Sequence, residues 1–325
     1  MKIVLAAITT LLSLFAVPLD AVAQAKPARI AYVWLFAVGP SAPYVDHFRS
    51  RLLELGWKEG QTIKTEYYDA QGDPRKLDSI MEELVRSKVD IIVAMCTPEA
   101  FAAKKYTSTI PIVVTAVGDP VGAGLVPNLS KPGGNVTGVS GMWLPLSAKR
   151  VELLKEAFPR IKRATVVWNP VRTDSVQETA VMRETAKRLG FELQSMQVRT
   201  REELATALEM METDGTQAIL TAGDTLITLE APAIVRRAIE LRIPAMYESR
   251  IHVDIGGLMS YGPNIPLMHR RAAEYVDKIL RGARPGDLAI EQPTHFELLI
   301  NRKAAKSQGF QIPESVLVRA DEVID

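Results

Sequence analysis

The chain has 325 residues, of which 47% are hydrophobic and 24% are charged, and its formal net charge is +1. This composition is ordinary for a globular protein, and the length favours two domains. A net charge so close to zero offers no basic footprint, so nucleic acid is not expected as a partner.

The first 25 residues differ from the rest of the chain. Lys2 precedes the uncharged, mostly apolar run 3–17, and small residues then recur at the spacing of a cleavage site up to Ala23 and Ala25. This pattern predicts a secretory signal peptide, residues 1–25, cleaved near Ala23 or Ala25. A membrane anchor is the alternative, but the run is shorter than the about 20 residues that span a bilayer. We therefore expect a periplasmic protein.

Apolar runs alternate with helical patterns in the first half of the mature chain. The runs that predict strands are 30–36, 62–68, 90–94 and 110–117, and the patterns that predict helices are 44–55, 74–87 and 98–105. Continuous apolar runs are typical of parallel strands that are buried on both faces. The segment 118–141 is rich in Gly, Pro and Asn, and we expect a loop there that leads to a crossing between two lobes.

The second half follows the same plan. Strands are predicted at 164–168, 191–198, 217–221 and 245–247, and helices at 174–189, 201–213, in a segment ending near residue 241, and at 267–281. Strands that alternate with helices indicate an α/β fold with doubly wound parallel sheets.

The two halves also resemble each other in sequence. Residues 29–34 (RIAYVW) are echoed 134 positions later by residues 163–168 (RATVVW), and Leu55-Gly56 is echoed by Leu189-Gly190 at the same offset. A repeat of this length predicts two α/β lobes of one design that face each other across a cleft.

The repeat allows loops to be paired across that cleft. Ligands of open α/β sheets bind beyond the carboxyl ends of the strands. The paired positions are Ser41 with Asn169, Cys96 and Thr97 with Asp224, and Thr115 and Ala116 with Glu248. Helix N-termini after Ser41 and Thr97 would suit an anion, and Asp224 or Glu248 could hold an ammonium group. This set fits a zwitterionic amino acid, although Thr97 and Asp224 could equally serve as plain helix N-caps.

Aromatic residues cluster near the predicted strand ends, where they could stack on a flat ligand or a cation. They are Trp34, Phe36, Tyr44, Trp143, Trp168, Tyr247 and Tyr261. Since most aromatics at such positions belong to the core, we expect two or three of the seven to face a ligand.

Signatures of catalysis and metal binding are missing from the sequence. The four histidines stand apart, Cys96 is the only cysteine, and no nucleophile elbow, P-loop or dinucleotide-binding glycine motif occurs. No catalytic residue, metal or cofactor is therefore predicted.

Four stretches resemble the ABC-transporter substrate-binding protein family, which includes tryptophan- and tyrosine-type members. They are residues 107–140, with GDPVGAGLV and KPGGNVTG, and residues 258–264, 292–310 and 312–325. The resemblance implies a type I periplasmic-binding-protein architecture of two Rossmann-like lobes with parallel sheets. It implies lobe 1 from 28–141 plus about 264–292, and lobe 2 from 142–263 plus about 293–325.

The resemblance also implies a function. It places Ser41, Thr97, residues 115–117, Asn169, Asp224, Tyr247, Glu248 and Tyr261 at the cleft. It implies a monomeric extracytoplasmic receptor, without catalysis, that hands a small organic ligand to ABC permease subunits in the membrane. The first hypothesis for the ligand is an amino acid with an aromatic or branched side chain. Two alternatives stay open: a ligand sensor for a membrane signalling protein, and a hydrolase or isomerase on the same scaffold.

Overall fold

The computed structural model describes residues 26–35, 43–171 and 173–325. The predicted signal peptide lies outside these residues, as do Ser41 and Phe36. Within the described ranges, no helix is both long enough and apolar enough to cross a membrane.

Two sheets form the centre of the molecule. Their strands are β1 (Ala28–Trp34), β2 (Ile63–Asp69), β3 (Ile91–Ala94), β4 (Ile112–Val117), β5 (Val136–Ser140), β6 (Arg163–Trp168), β7 (Glu192–Gln197), β8 (Ile219–Thr221), β9 (Ala245–Tyr247), β10 (Met259–Pro263), β11 (Phe296–Asn301) and β12 (Glu322–Ile324).

Helices cover both faces of these sheets. They are α1 (Pro43–Glu54), α2 (Pro74–Ser87), α3 (Thr97–Tyr106), α4 (Trp143–Ala157), α5 (Thr173–Arg188), α6 (Arg201–Met210), α7 (Thr225–Leu229), α8 (Ala231–Leu241), α9 (Arg250–Asp254), α10 (Ile265–Leu280), α11 (Arg302–Gln308) and α12 (Glu314–Leu317), with a short 3-10 helix at Pro285–Asp287.

The strand orders confirm two lobes of one design. The first sheet runs β2-β1-β3-β4-β5 and the second runs β12-β11-β10-β9-β8-β6-β7, so both contain the same five-strand arrangement. All pairings are parallel except β10 with β11, which is antiparallel. We call the first sheet with its helices lobe 1 and the second lobe 2.

Each sheet is buried on both faces, as the continuous apolar runs predicted. In β1, Tyr32 and Trp34 pack in one apolar cluster with Phe48 of α1, whereas Ala31 and Val33 pack in another with α2 and α3. This division follows from the alternation of side chains along a strand. Trp168 is the repeat partner of Trp34 and packs similarly against α5, so both tryptophans serve the core.

The expectation of a plain loop at 118–141 was wrong, because β5 lies within it. Gly138 has a φ of 132° and sits directly on the backbone of Val114, where a Cβ would overlap the Val114 carbonyl oxygen. Only glycine combines this backbone angle with so close an approach. The glycines and prolines of this segment are typical of loops, and the edge strand β5 was therefore not predicted.

Three crossings join the lobes. The first runs from β5 to α4, and the second from β10 to α10, a helix that packs on α1, β4 and β5 of lobe 1. The third leads from the bridge between Glu291 and Val139 to β11. The crossings bring the carboxyl ends of the two parallel sheets to face each other.

A buried ion pair organises lobe 2 beside these crossings. The guanidinium of Arg150 on α4 donates to the carboxylate of Glu178 on α5, and both side chains are almost fully inaccessible. Arg150 Nη1 also donates to the carbonyl oxygen of Tyr261 on β10 at 3.3 Å. Glu178 accepts from the backbone N–H of Gly223 at 3.5 Å, so one pair links α4, α5 and β10 with the loop after β8.

We predict that Arg150→Met alone lowers the free energy of unfolding by about 3–5 kcal/mol, because it removes one partner of a buried ion pair and keeps the other charge buried. The double variant Arg150→Met with Glu178→Leu should be less destabilised than the single variant. Urea unfolding measures both. The surface ion pair between Glu156 and Arg319 is the control, and Glu156→Gln should cost at most about 1 kcal/mol. A double variant worse than the single would contradict this account.

Candidate functional site

A cavity of about 180 Å³ lies between the two lobes, beside the crossings. Lobe 1 and the chain entering it contribute Tyr44, Met95, Cys96, Ala116, Asn264, Ile265, Pro266 and His269, and lobe 2 contributes Trp143, Gly223, Asp224, Thr225, Thr228, Glu248, Ser249, Arg250, Ile251, Asp254, Pro263 and Glu297.

Two buried carboxylates form the lobe 2 wall, and neighbouring groups hold both in place. Asp224 caps α7 by accepting from the Leu226 N–H at 2.8 Å, and it accepts from Asn169 Nδ2 at 3.3 Å. Glu248 accepts from the hydroxyl of Thr221. Because a buried carboxylate requires compensating partners, a cationic group in the cavity would be stabilised at this wall.

The remaining charges of the lining strengthen this preference. Asp254 and Glu297 add two carboxylates. Arg250 is the cation of the described lining, and it is already paired with Asp254 at 3.3 Å and Glu322 at 2.8 Å. Glu297 accepts from Asn264 Nδ2 at 2.7 Å. The described walls therefore carry an excess of negative charge.

The lobe 1 wall is neutral and largely apolar. Tyr44, Met95 and Ala116 line it, and the His269 ring lies 5.2 Å from the Tyr44 ring, centroid to centroid. Burial lowers the pKa of His269 to about 4, an effect that its hydrogen bond to Ile265 opposes. The imidazole is consequently uncharged at neutral pH.

Trp143 connects the two walls at the first crossing. Its indole N–H donates to the carbonyl oxygen of Ala116 in lobe 1 at 3.4 Å. Its ring lies so close to Gly223 of lobe 2 that a Cβ there would be 3.1 Å from it. Gly223 therefore allows the indole to form the floor of the cavity.

The lobes touch each other across the cleft. Cys96 Sγ lies 3.9 Å from Thr225 Oγ1, and Thr97 Oγ1 donates to Asp174 Oδ2 at 3.3 Å. Gly118 of lobe 1 packs against the Asp174 carboxylate, where a Cβ would overlap it. The described arrangement is therefore a closed one.

The structure brings four of the predicted site residues to the cavity and places two directly behind it. Cys96, Ala116, Asp224 and Glu248 line the cavity. Asn169 supports Asp224 from behind. Thr115 does not line the cavity, because its hydroxyl donates to the Met95 carbonyl oxygen at 2.7 Å. Ser41 lies outside the described residues.

Three predicted site residues lie elsewhere. Tyr247 points into the helix layer and stacks on His252 at a centroid distance of 4.6 Å. Successive side chains of an extended chain point in opposite directions, and Glu248 points to the cavity. Tyr261 packs with the lobe 2 core near Phe296. Thr97 faces Asp174 at the lobe contact and not the cavity.

The N-terminus of α3 does not offer the anion site that we expected after Thr97. The buried carboxylate of Glu99 accepts from the backbone N–H groups of Cys96 and Leu35. A carboxylate of the protein itself therefore occupies the position that a ligand anion would need.

Of the seven aromatic candidates, Tyr44 and Trp143 line the cavity. Trp34, Trp168 and Tyr247 are buried core residues, and Tyr261 is partly buried against the core. Sequence reasoning missed His269, Asn264 and Arg250. His269 was set aside as an isolated histidine, and only the path of the second crossing brings it to the site. Among the described residues, no group of His, Cys, Asp and Glu side chains is arranged to hold a metal ion.

Two parallel α/β lobes that close on an interior cavity define the type I periplasmic binding proteins, and this chain has that fold. Residues 39–324 match the family of ABC transporter substrate binding proteins, and the chain belongs to that family. A tyrosine-binding protein of Clostridioides difficile (strain R20291) is 32% identical over 264 residues, which are 81% of this chain and 76% of that protein.

Comparison with two solved structures indicates how the lobes of this protein are arranged. The crystal structure of an ABC domain from Streptococcus pneumonia in complex with L-Trp is 27% identical, with a TM-score of 0.81 over 92% of this chain and 100% of that one. The ligand-free, open structure of a substrate-binding protein with adhesive properties from Clostridium difficile is also 27% identical, with a TM-score of 0.62 over 92% and 99%. At equal identity and nearly equal coverage, the lobes here are arranged more as in the L-Trp complex.

We predict a pH-dependent stability that arises from His269. Its ordinary pKa of 6.5 is lowered by burial, and His47 lowers it further. Between pH 6.5 and pH 4 the unfolded chain binds a proton that the folded chain does not, so the free energy of unfolding falls by up to about 3 kcal/mol as pH falls. Urea unfolding at pH 7 and pH 4.5 should show that the free energy of unfolding falls less in His269→Gln than in the wild type. Equal losses in both proteins would contradict the assignment.

We also predict that Gly118→Ala weakens ligand binding by about tenfold or more. The added methyl group overlaps Asp174 in the closed arrangement, and overpacking of this kind costs about 1–3 kcal/mol. Gly134→Ala is the matched control, because a Cβ there meets nothing within 4 Å. Calorimetric titration measures the affinities, and the melting temperature of ligand-free Gly118→Ala should stay near that of the wild type. Unchanged affinity would show that closure does not use this contact.

Proposed function

We propose that this protein captures an aromatic amino acid, L-tryptophan or L-tyrosine, and delivers it to an ABC permease. The observation that carries the proposal is the cavity between the lobes, which has a carboxylate wall on one side and a neutral, partly aromatic wall on the other.

The head group of such a ligand fits the lobe 2 wall. Asp224 and Glu248 would accept hydrogen bonds from its ammonium group, a charge-assisted interaction that is stronger than a neutral one. Ser41 stays in the proposal as the partner of the ligand carboxylate, because in the sequence it comes two residues before the start of α1, and the N-terminus of a helix favours an anion.

The side chain of the ligand fits the remaining walls. Tyr44 and Trp143 offer aromatic rings, and Met95 offers a polarisable thioether. Aromatic pairs and sulfur–aromatic contacts both add to the free energy of burying a ring. The names of two relatives agree with this choice, since one is a tyrosine-binding protein and the other was crystallised with L-Trp.

Delivery would depend on closure. The ligand contacts both lobes and therefore stabilises the arrangement in which they touch. A permease that recognises the closed surface then receives only loaded receptor. The proposal includes export by the first 25 residues to the periplasm, a monomeric receptor, and lobes that exchange chain near residues 141, 264 and 292.

We predict that the mature protein binds L-tryptophan or L-tyrosine and that Asp224→Asn and Glu248→Gln each weaken this binding by about tenfold or more. Loss of a hydrogen bond to a charged group typically costs about 1.5–3 kcal/mol. Calorimetric titration is the measurement, with Glu156→Gln as the control for a carboxylate outside the cavity. Tryptamine, which keeps the ammonium group, should bind more tightly than indole-3-propionate, which lacks it.

The panel should include L-leucine, because the sequence pattern alone also allows a branched side chain. If L-leucine binds and neither aromatic amino acid does, the aromatic proposal is wrong while the receptor function stands. If Asp224→Asn and Glu248→Gln both leave the affinity unchanged, the head group does not lie at the lobe 2 wall.

A further inference from the structure

His269 is a cavity-lining residue with a buried ring nitrogen that has no partner among the described residues. The residue lines the cavity and is fully buried, and its Nε2 forms no hydrogen bond within the described part of the chain. Its Nδ1 lies 3.0 Å from the carbonyl oxygen of Ile265. Because a carbonyl can only accept, Nδ1 carries the proton and Nε2 carries a lone pair.

The surroundings of the ring fix this lone pair in place. Tyr44 packs on the imidazole at a centroid distance of 5.2 Å, and Tyr32 stacks on it at 6.4 Å with an interplanar angle of 16°. Burial keeps the pKa near 4, so the ring remains a neutral acceptor at neutral pH. A buried acceptor without a donor is unfavourable, and a ligand that brings a donor relieves this cost.

The distribution of charge around the cavity indicates which part of the ligand would donate to His269. The carboxylates Asp224 and Glu248 lie on the lobe 2 wall, where they would take the ammonium group. His269 lies on α10, which packs on lobe 1, so it faces the other end of the ligand. A donor that reaches His269 would therefore belong to the side chain of the ligand.

We infer that His269 is a specificity-determining residue whose Nε2 accepts a hydrogen bond from an N–H or O–H on the aromatic ring of the ligand. The inference rests on the proposed function. It narrows the substrate class to amino acids with indole or phenol side chains and disfavours phenylalanine. A site built to satisfy a ligand donor discriminates against the analogue without it more strongly than an apolar pocket does.

The test uses ligand pairs that differ in the donor alone. L-Tyrosine is paired with L-phenylalanine, and L-tryptophan with 3-benzothienylalanine, in which sulfur replaces the indole N–H. Calorimetric titration of the mature wild-type protein should show that the donor-bearing member of at least one pair binds about tenfold more tightly or better.

Three variants assign this preference to His269. His269→Phe retains an aromatic ring and removes the acceptor, so the preference should fall to less than about twofold. His269→Gln retains an acceptor at a similar reach and should keep much of the preference. Tyr67→Phe is the matched control, because it removes a buried hydroxyl from the same aromatic cluster at a residue that does not line the cavity. It should leave the preference unchanged.

The outcomes separate this inference from the proposed function. If none of the four ligands binds, the proposed function is wrong and the inference falls with it. If the ligands bind but the wild type shows no preference, or if His269→Phe keeps the preference, the inference alone is wrong. Should His269→Phe fail to fold, ¹⁵N spectroscopy of the wild-type imidazole decides. The Nε2 resonance should shift on binding L-tryptophan and not 3-benzothienylalanine, and equal shifts would overturn the inference.

Discussion

The rest of the site depends on the buried carboxylates at the carboxyl ends of the lobe 2 strands. Asp224 and Glu248 are almost inaccessible to solvent, and burial of a charge is tolerated only with compensating partners. Asn169, the Leu226 N–H and the Thr221 hydroxyl supply part of that compensation. These donors hold the carboxylates in fixed positions on the wall of the cavity. The buried pair of Arg150 and Glu178 acts one layer further back, where it anchors Gly223 and thus the loop that carries Asp224.

Trp143 shows how the fold links this wall to the opposite lobe. The residue begins α4 immediately after the first crossing, and its indole contacts Ala116 of lobe 1 and Gly223 of lobe 2. A bulky side chain at Gly223 would displace the ring, and a displaced ring would alter the depth of the cavity. The floor of the cavity is therefore made by a residue at the first crossing that contacts both lobes.

Sequence patterns predicted the architecture well, because it follows from periodicity and from the repeat. Trp34 and Trp168 occupy equivalent core positions, and Asp224, Glu248, Cys96 and Ala116 line the cavity between the lobes. The failures have local physical causes. β5 was missed because Gly138 gives a strand the composition of a loop. Tyr247 was misplaced because the side-chain alternation that sends Glu248 to the cavity sends Tyr247 to the core. The position of His269 at the site depends on where α10 packs after the second crossing, and no local sequence pattern predicts that.

The contacts between the lobes bear on how a ligand would favour closure in the proposed function. The direct interlobe contacts described at the cleft include a hydrogen bond of 3.3 Å between Thr97 and Asp174 and a 3.9 Å approach of Cys96 to Thr225. Long hydrogen bonds between groups that water could otherwise satisfy contribute little net free energy. Such contacts define the geometry of closure. In the proposed function, a ligand that meets the carboxylates of one lobe and the neutral wall of the other adds to them. Residues at the lobe contact then influence affinity without touching the ligand, because the observed affinity includes the equilibrium between open and closed arrangements.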